Sequence, residues 1–139
     1  MNEVIRTIGR RASCRIYTGQ ALTSDQIRTI AEAAVTSPSA LNLQPWQVIV
    51  IQDRQLMDEI EAEGMKMLAQ LEDPSMYDRI MERGGKMLYG APNMIMVSID
   101  GGNITRNTLD CGIVCQTIAL AATSMGIGNV ICGMARLIF

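Results

Sequence analysis

The stretch that most constrains the fold is Ser37-Pro38-Ser39-Ala40-Leu41-Asn42-Leu43-Gln44-Pro45-Trp46. An amphipathic pattern precedes it and the apolar run Val48-Ile49-Val50-Ile51 follows it, which marks a helix-to-strand junction. Each proline fixes its own φ and steers the residue before it toward extended backbone, so the helix has to stop before Pro38. Ser39, Asn42 and Gln44 lie between the prolines, and their short side chains can both donate and accept hydrogen bonds. Such a loop suits a polar ligand, or else a plain turn, since Pro, Ser and Asn are ordinary turn formers.

The flanking patterns predict the elements that this loop joins. Residues 2–11 read as a short helix with Val4, Ile5 and Ile8 on one face. Thr23 followed by Gln26 is a capping-box pattern, and Ile27, Ile30, Ala31 and Ala34 give the next helix its buried stripe. Residues 46–51 form a first strand, apolar enough to be central in a sheet. Residues 54–72 predict a helix, and Pro74 opens another that runs to about Leu88, with a kink or break at Gly84-Gly85. The methionines frequent here are expected to fill core space. A second strand covers 94–99. A long helix covers about 105–125, apolar nearly all round and therefore buried, with Gly126 as its C-terminal cap. Asp110 inside that helix needs a partner, because an unpaired buried charge is costly. Val130-Ile131-Cys132 reads as a third strand.

Composition removes several classes of function. A length of 139 residues fits one domain with a single core, and 48% hydrophobic residues exclude a disordered tail. A net charge of −2 offers no general attraction to nucleic acid or to an anionic membrane. The apolar stretch 113–125 is too short and too interrupted to span a bilayer. No basic, then apolar, leader opens the chain, so a cytoplasmic location is expected. There is no histidine, which removes the usual Ser-His and Cys-His machinery. Cys14, Cys111, Cys115 and Cys132 read as small buried apolar residues. Gly126-Ile127-Gly128 with Gly133 is not a dinucleotide fingerprint, because it leaves a helix and enters a strand rather than the reverse.

Arg11, Ser13 and Arg15 alternate by two, so in extended backbone their side chains share a side. Two guanidiniums and a hydroxyl fit a phosphate. A solvated basic face or a nucleic-acid arm is the other reading of this arginine-rich stretch, although no aromatic residues are interleaved for base stacking.

Three separated segments, in the same order, resemble the FMN-dependent nitroreductase family. Ser37 to Trp46 fills every named position of its S-P-S-x-x-N-x-Q-P-W signature. Arg11-Ala12-Ser13-Cys14-Arg15 resembles its R-R-S-x-R element, with Ala12 in place of the second basic residue. The third is Asp110-x-Gly112, Leu120-Ala121-Ala122, Gly126-Ile127-Gly128 and Ile131-Cys132-Gly133. The resemblance implies an α+β fold, with helices packed around a central, mainly antiparallel sheet, in one domain over 1–139. Family members run on beyond the point matched by Phe139, so the C-terminal part of the family fold is expected to be missing.

What the resemblance implies for function is an FMN oxidoreductase that takes hydride from NADH or NADPH and reduces an electron-poor small molecule such as a nitroaromatic or quinone. FMN would contact Arg11, Ala12, Ser13 and Arg15, then Pro38, Ser39, Ala40 and Asn42, then Ile131, Cys132 and Gly133, the last pair approaching the flavin N5 edge with their backbone. A glycine at 133 permits that approach. No side chain is assigned a catalytic role, since the flavin carries the redox chemistry. The family also implies a homodimer in which the segment like Pro38–Asn42 reaches the flavin held mainly by the other subunit. A non-catalytic flavin binder or remnant of the fold, or a relative that dehalogenates or fragments its flavin, is the alternative.

Overall fold

The computed structural model describes residues 2–99 and 102–134. The elements in chain order are α1 (Glu3–Arg10), α2 (Ser24–Val35), a 3-10 turn (Ala40–Asn42), β1 (Trp46–Ile51), α3 (Arg54–Ala69), α4 (Ser75–Glu82), β2 (Met94–Ile99) and α5 (Ile104–Ser124). The fold is α+β, as expected, with β1 and β2 forming a small antiparallel sheet among the described residues. The residues group into two compact units, one of 2–14, 22–50, 95–99 and 102–131, the other of 15–21, 51–94 and 132–134.

In the first unit α5 packs against α2 and α1. The cluster of Ala34, Trp46 and Val114 is closed by Val48, Val97, Ile99, Cys111 and Ile118. Cys111, Val114 and Ile118 recur at three and four residues, so one face of α5 lies on β1, β2 and α2. The capping box at α2 forms in both halves: Gln26 N–H donates to Thr23 Oγ1 at 3.3 Å and Thr23 N–H to Gln26 Oε1 at 2.9 Å. At the other end of α5, Gly126 takes φ +74. The Gly126 N–H then donates to the Thr123 carbonyl, and the Ile127 N–H to that of Ala122. This is the expected glycine C-cap.

The second unit pairs α3 with α4 around Leu68, Ile80 and Met87, with Met65, Met76 and Met134 among the residues packed on them. Those methionines are core filler, as their unbranched side chains allow. Before α4, Asp73 accepts hydrogen bonds from the Ser75 N–H and hydroxyl, which hold its carboxyl below the usual range.

Three expectations are corrected. The helix opened by Pro74 ends at Glu82, not near Leu88. Gly84 and Gly85 both take positive φ, and Glu61 on α3 accepts the Met87 and Leu88 N–H groups that a longer helix would have used itself. Residues 130–132 form no strand; an isolated parallel bridge joins Ser13 to Asn129 instead. β1 is not buried on both faces. Gln47 and Ile49 are exposed while Trp46, Val48 and Val50 turn inward, the alternation of a strand covered on one side. The apolar Ile49 hides that alternation in the sequence.

Candidate functional site

The loop after α2 is held mostly by its own polar side chains. Ser37 is buried; its hydroxyl donates to Thr117 Oγ1 at 3.0 Å, and Thr117 passes its own hydrogen to the Ile113 carbonyl at 3.0 Å. Ser39 Oγ accepts from the Gln44 N–H at 2.9 Å, and Gln44 Nε2 donates to the Val35 carbonyl at 3.1 Å. Ser39 and Gln44 therefore shape the loop, and the amide of Asn42 is among its exposed side chains, beside Leu41 and Gln44.

The backbone here is unusual. Leu41, Asn42 and Gln44 have φ of +54, +53 and +47. Asparagine tolerates that region, but leucine and glutamine enter it only when the surroundings over-determine them. The anchor is Asp110. Asp110 is 3% exposed, and its two carboxylate oxygens lie 3.3 and 3.4 Å from the Ala40 nitrogen, whose N–H donates to them. The partner that Asp110 requires is thus the loop itself. Non-glycine residues in sparsely populated conformations cluster at ligand clamps.

The arginine segment is built at the other end of α5. Arg11 caps α1, its N–H donating to the Thr7 carbonyl, and is half-buried; Ala12 and Ser13 are exposed. The Cys14 N–H donates to the Asn129 carbonyl at 2.9 Å. Asn129 Nδ2 in turn reaches the Ala119 and Ile127 carbonyls and Thr123 Oγ1, all at 3.1–3.2 Å. Gly128 makes this approach possible, since a Cβ there would fall 2.9 Å from Cys14 Sγ and 3.1 Å from its Cβ. The bridge brings Ser13 beside the chain that leads to Ile131. Sequence reasoning missed Asn129 and Thr117. Thr117 lies seven residues after Asp110 on α5, the same helical face, and that spacing was the signal available.

Within this unit the two proposed flavin segments are separated. Asp110 holds one and Thr123 supports the other; Thr123 follows Asp110 by thirteen helical steps, roughly 20 Å at about 1.5 Å per residue. Arg15, Cys132 and Gly133 belong to the second unit. Arg15 is exposed, with its guanidinium over the Tyr89 ring. Cys132 is half-buried, and a Cβ on Gly133 would meet no protein atom within 4 Å.

The four cysteines are free and half-buried rather than fully buried. Burial pushes the Cys111 thiol up, helped by Cys115 and by the charge of Asp110, and burial alone pushes up Cys115. Both shifts favour the thiol over the nucleophilic thiolate. Among the described residues no helix is long and apolar enough to cross a membrane.

A profile described as the nitroreductase family matches residues 8–137. The chain is 51% identical to a Desulfitobacterium hafniense nitroreductase solved with bound FMN, with a TM-score of 0.96 over 100% of this chain and 74% of that one. A Bacteroides fragilis nitroreductase with bound FMN is 26% identical, with a TM-score of 0.82 over 91% of this chain and 67% of that one. The Bacillus subtilis protein named FMN reductase [NAD(P)H] is 30% identical over 98% of this chain, which spans 56% of that protein's length.

Proposed function

Since the chain belongs to the nitroreductase family, we propose that it binds FMN and reduces an electron-poor small molecule, such as a nitroaromatic or quinone, at the expense of NADH or NADPH. The observation that carries the reading is the loop Ser37–Trp46. A family signature is folded there into left-handed backbone, pinned by a buried carboxylate, in a chain 51% identical to an FMN-bound nitroreductase.

The residues present fit such a group. Arg11, Ser13 and Arg15 supply donors suited to a terminal phosphate. Asn42 offers an exposed amide able to both donate and accept, as the polar edge of a flavin ring requires. When bound, FMN supplies the hydride-accepting and hydride-donating chemistry. The backbone N–H groups near Cys132 and Gly133 are assigned by resemblance to the flavin's N5 edge. No side chain needs to act as acid or base, in keeping with the absence of histidine.

A second copy of the chain is the partner this reading requires. The apolar stripe of α1, with Val4, Ile5 and Ile8, is exposed, as are Leu109 at 68% and Leu41 at 86%. A shallow groove on α5 lined by Leu109, Gly112, Ile113, Gln116 and Leu120 runs along the same unit. Exposed apolar area of this extent supports an interface. The separation of the two flavin segments along α5 supports sites shared between copies, two per two-fold dimer.

Anaerobic addition of NADH or NADPH to the FMN-loaded protein should bleach the flavin absorbance, and a nitroaromatic or quinone should restore it. A flavin that stays bound and yellow under both reductants would leave a flavin binder and defeat the reductase reading. Sedimentation of an FMN-saturated monomer would defeat the shared site.

A further inference from the structure

Tyr89 belongs to none of the three motifs, yet the second unit holds it in an uncommon way. Its φ is +58, a region that a bulky residue occupies only when its surroundings fix it there. The fixing groups are identifiable. Glu61 on α3 accepts hydrogen bonds from the Met87 N–H and, at 2.9 Å, from the Leu88 N–H. The Tyr89 N–H turns back to the Lys86 carbonyl at 3.4 Å, and the Ala91 N–H to that of Leu88 at 3.1 Å. Gly90, with φ +66, completes the reversal.

The ring so placed lies under Arg15, whose guanidinium carbon is 5.7 Å from its centroid. Among the described residues no carboxylate forms an ion pair with Arg15. Arginine is rotamer-rich, and an exposed one loses that freedom whenever it engages a ligand. A guanidinium lying on an aromatic face is attracted through its plane and keeps its N–H edge available for an anion.

We propose that Tyr89 is a positioning residue for Arg15, its ring pre-ordering the guanidinium that binds the flavin phosphate, with Glu61 setting the ring. The proposal rests on the reading of Arg15 as a phosphate ligand. It acts through the arginine, so its effect disappears when the arginine is absent.

The test is a double-mutant cycle read by FMN affinity. Tyr89→Asn removes the ring while keeping a residue that tolerates left-handed backbone, and Tyr89→Phe keeps the ring. Tyr89→Asn should weaken FMN binding about two- to five-fold, the range of an exposed cation–π contact. Tyr89→Phe should bind as the wild type does. In the Arg15→Ala background Tyr89→Asn should have no further effect. An equal loss in both backgrounds, or a Tyr89→Phe variant as weak as Tyr89→Asn, would overturn the proposal. So would an unchanged Tyr89→Asn affinity beside a weakened Arg15→Ala variant, which leaves the phosphate reading intact. If Arg15→Ala itself binds FMN normally, the phosphate reading of Arg15 falls and the proposal falls with it.

Discussion

Arg11→Ala and Arg15→Ala are each expected to weaken FMN binding by about 1.5–3 kcal/mol, the range for a hydrogen bond to a charged group. That is roughly ten- to a hundred-fold in affinity. Arg11 is the better supported structurally, being half-buried at the end of α1 and followed by a segment that the Ser13–Asn129 bridge holds in place. As a cation at a helix C-terminus it also steadies α1 by a few tenths of a kcal/mol. Far-ultraviolet circular dichroism therefore has to accompany the flavin titration, so that loss of α1 is not mistaken for loss of a ligand contact. Affinities equal to the wild type in both variants would remove the anion site from the account.

Asp110→Leu is expected to destabilise the fold by about 1.5–3 kcal/mol, since it leaves the Ala40 N–H without its charged acceptor. Sparing the burial of a carboxylate works in the other direction. The left-handed residues Leu41, Asn42 and Gln44 tip the balance, because that loop conformation persists only while its anchors hold. Asp110→Asn keeps an oxygen acceptor facing Ala40 and should recover most of the loss. Urea unfolding measures the stability and flavin titration the loop. A leucine variant with unchanged midpoint and unchanged FMN affinity would show that Asp110 anchors nothing of consequence.

Much of this architecture was legible in local chemistry. The Thr23–Gln26 capping box, the Gly126 cap, both strands and the length of α5 follow from signals that act within a few residues. The need for a partner at Asp110 was also legible, but its identity was not, because the Ala40 N–H lies seventy residues away in the chain. The same holds for Ser37 and Thr117. Ser39 and Gln44 read as ligand donors because their residue type is suitable; the folded loop also uses the Ser39 oxygen and the Gln44 amide nitrogen in its own hydrogen bonds, a second role that sequence does not resolve. The apolar run at 130–132 carries strand propensity, yet the described residues supply it only the Ser13–Asn129 bridge. β propensity depends on the neighbours available more than on the residues themselves.

The central claim, that this chain is built to hold FMN, is tested most directly by titrating it with FMN and, separately, with FAD while following flavin fluorescence. The proposed anion site would suit a terminal phosphate, and the sequence has no glycine-rich diphosphate loop that leaves a strand to open a helix. Saturation is expected at one FMN per chain, with FAD bound at least about ten-fold more weakly, a difference of about 1.4 kcal/mol. Absence of FMN binding, or FAD bound as tightly as FMN, would contradict it.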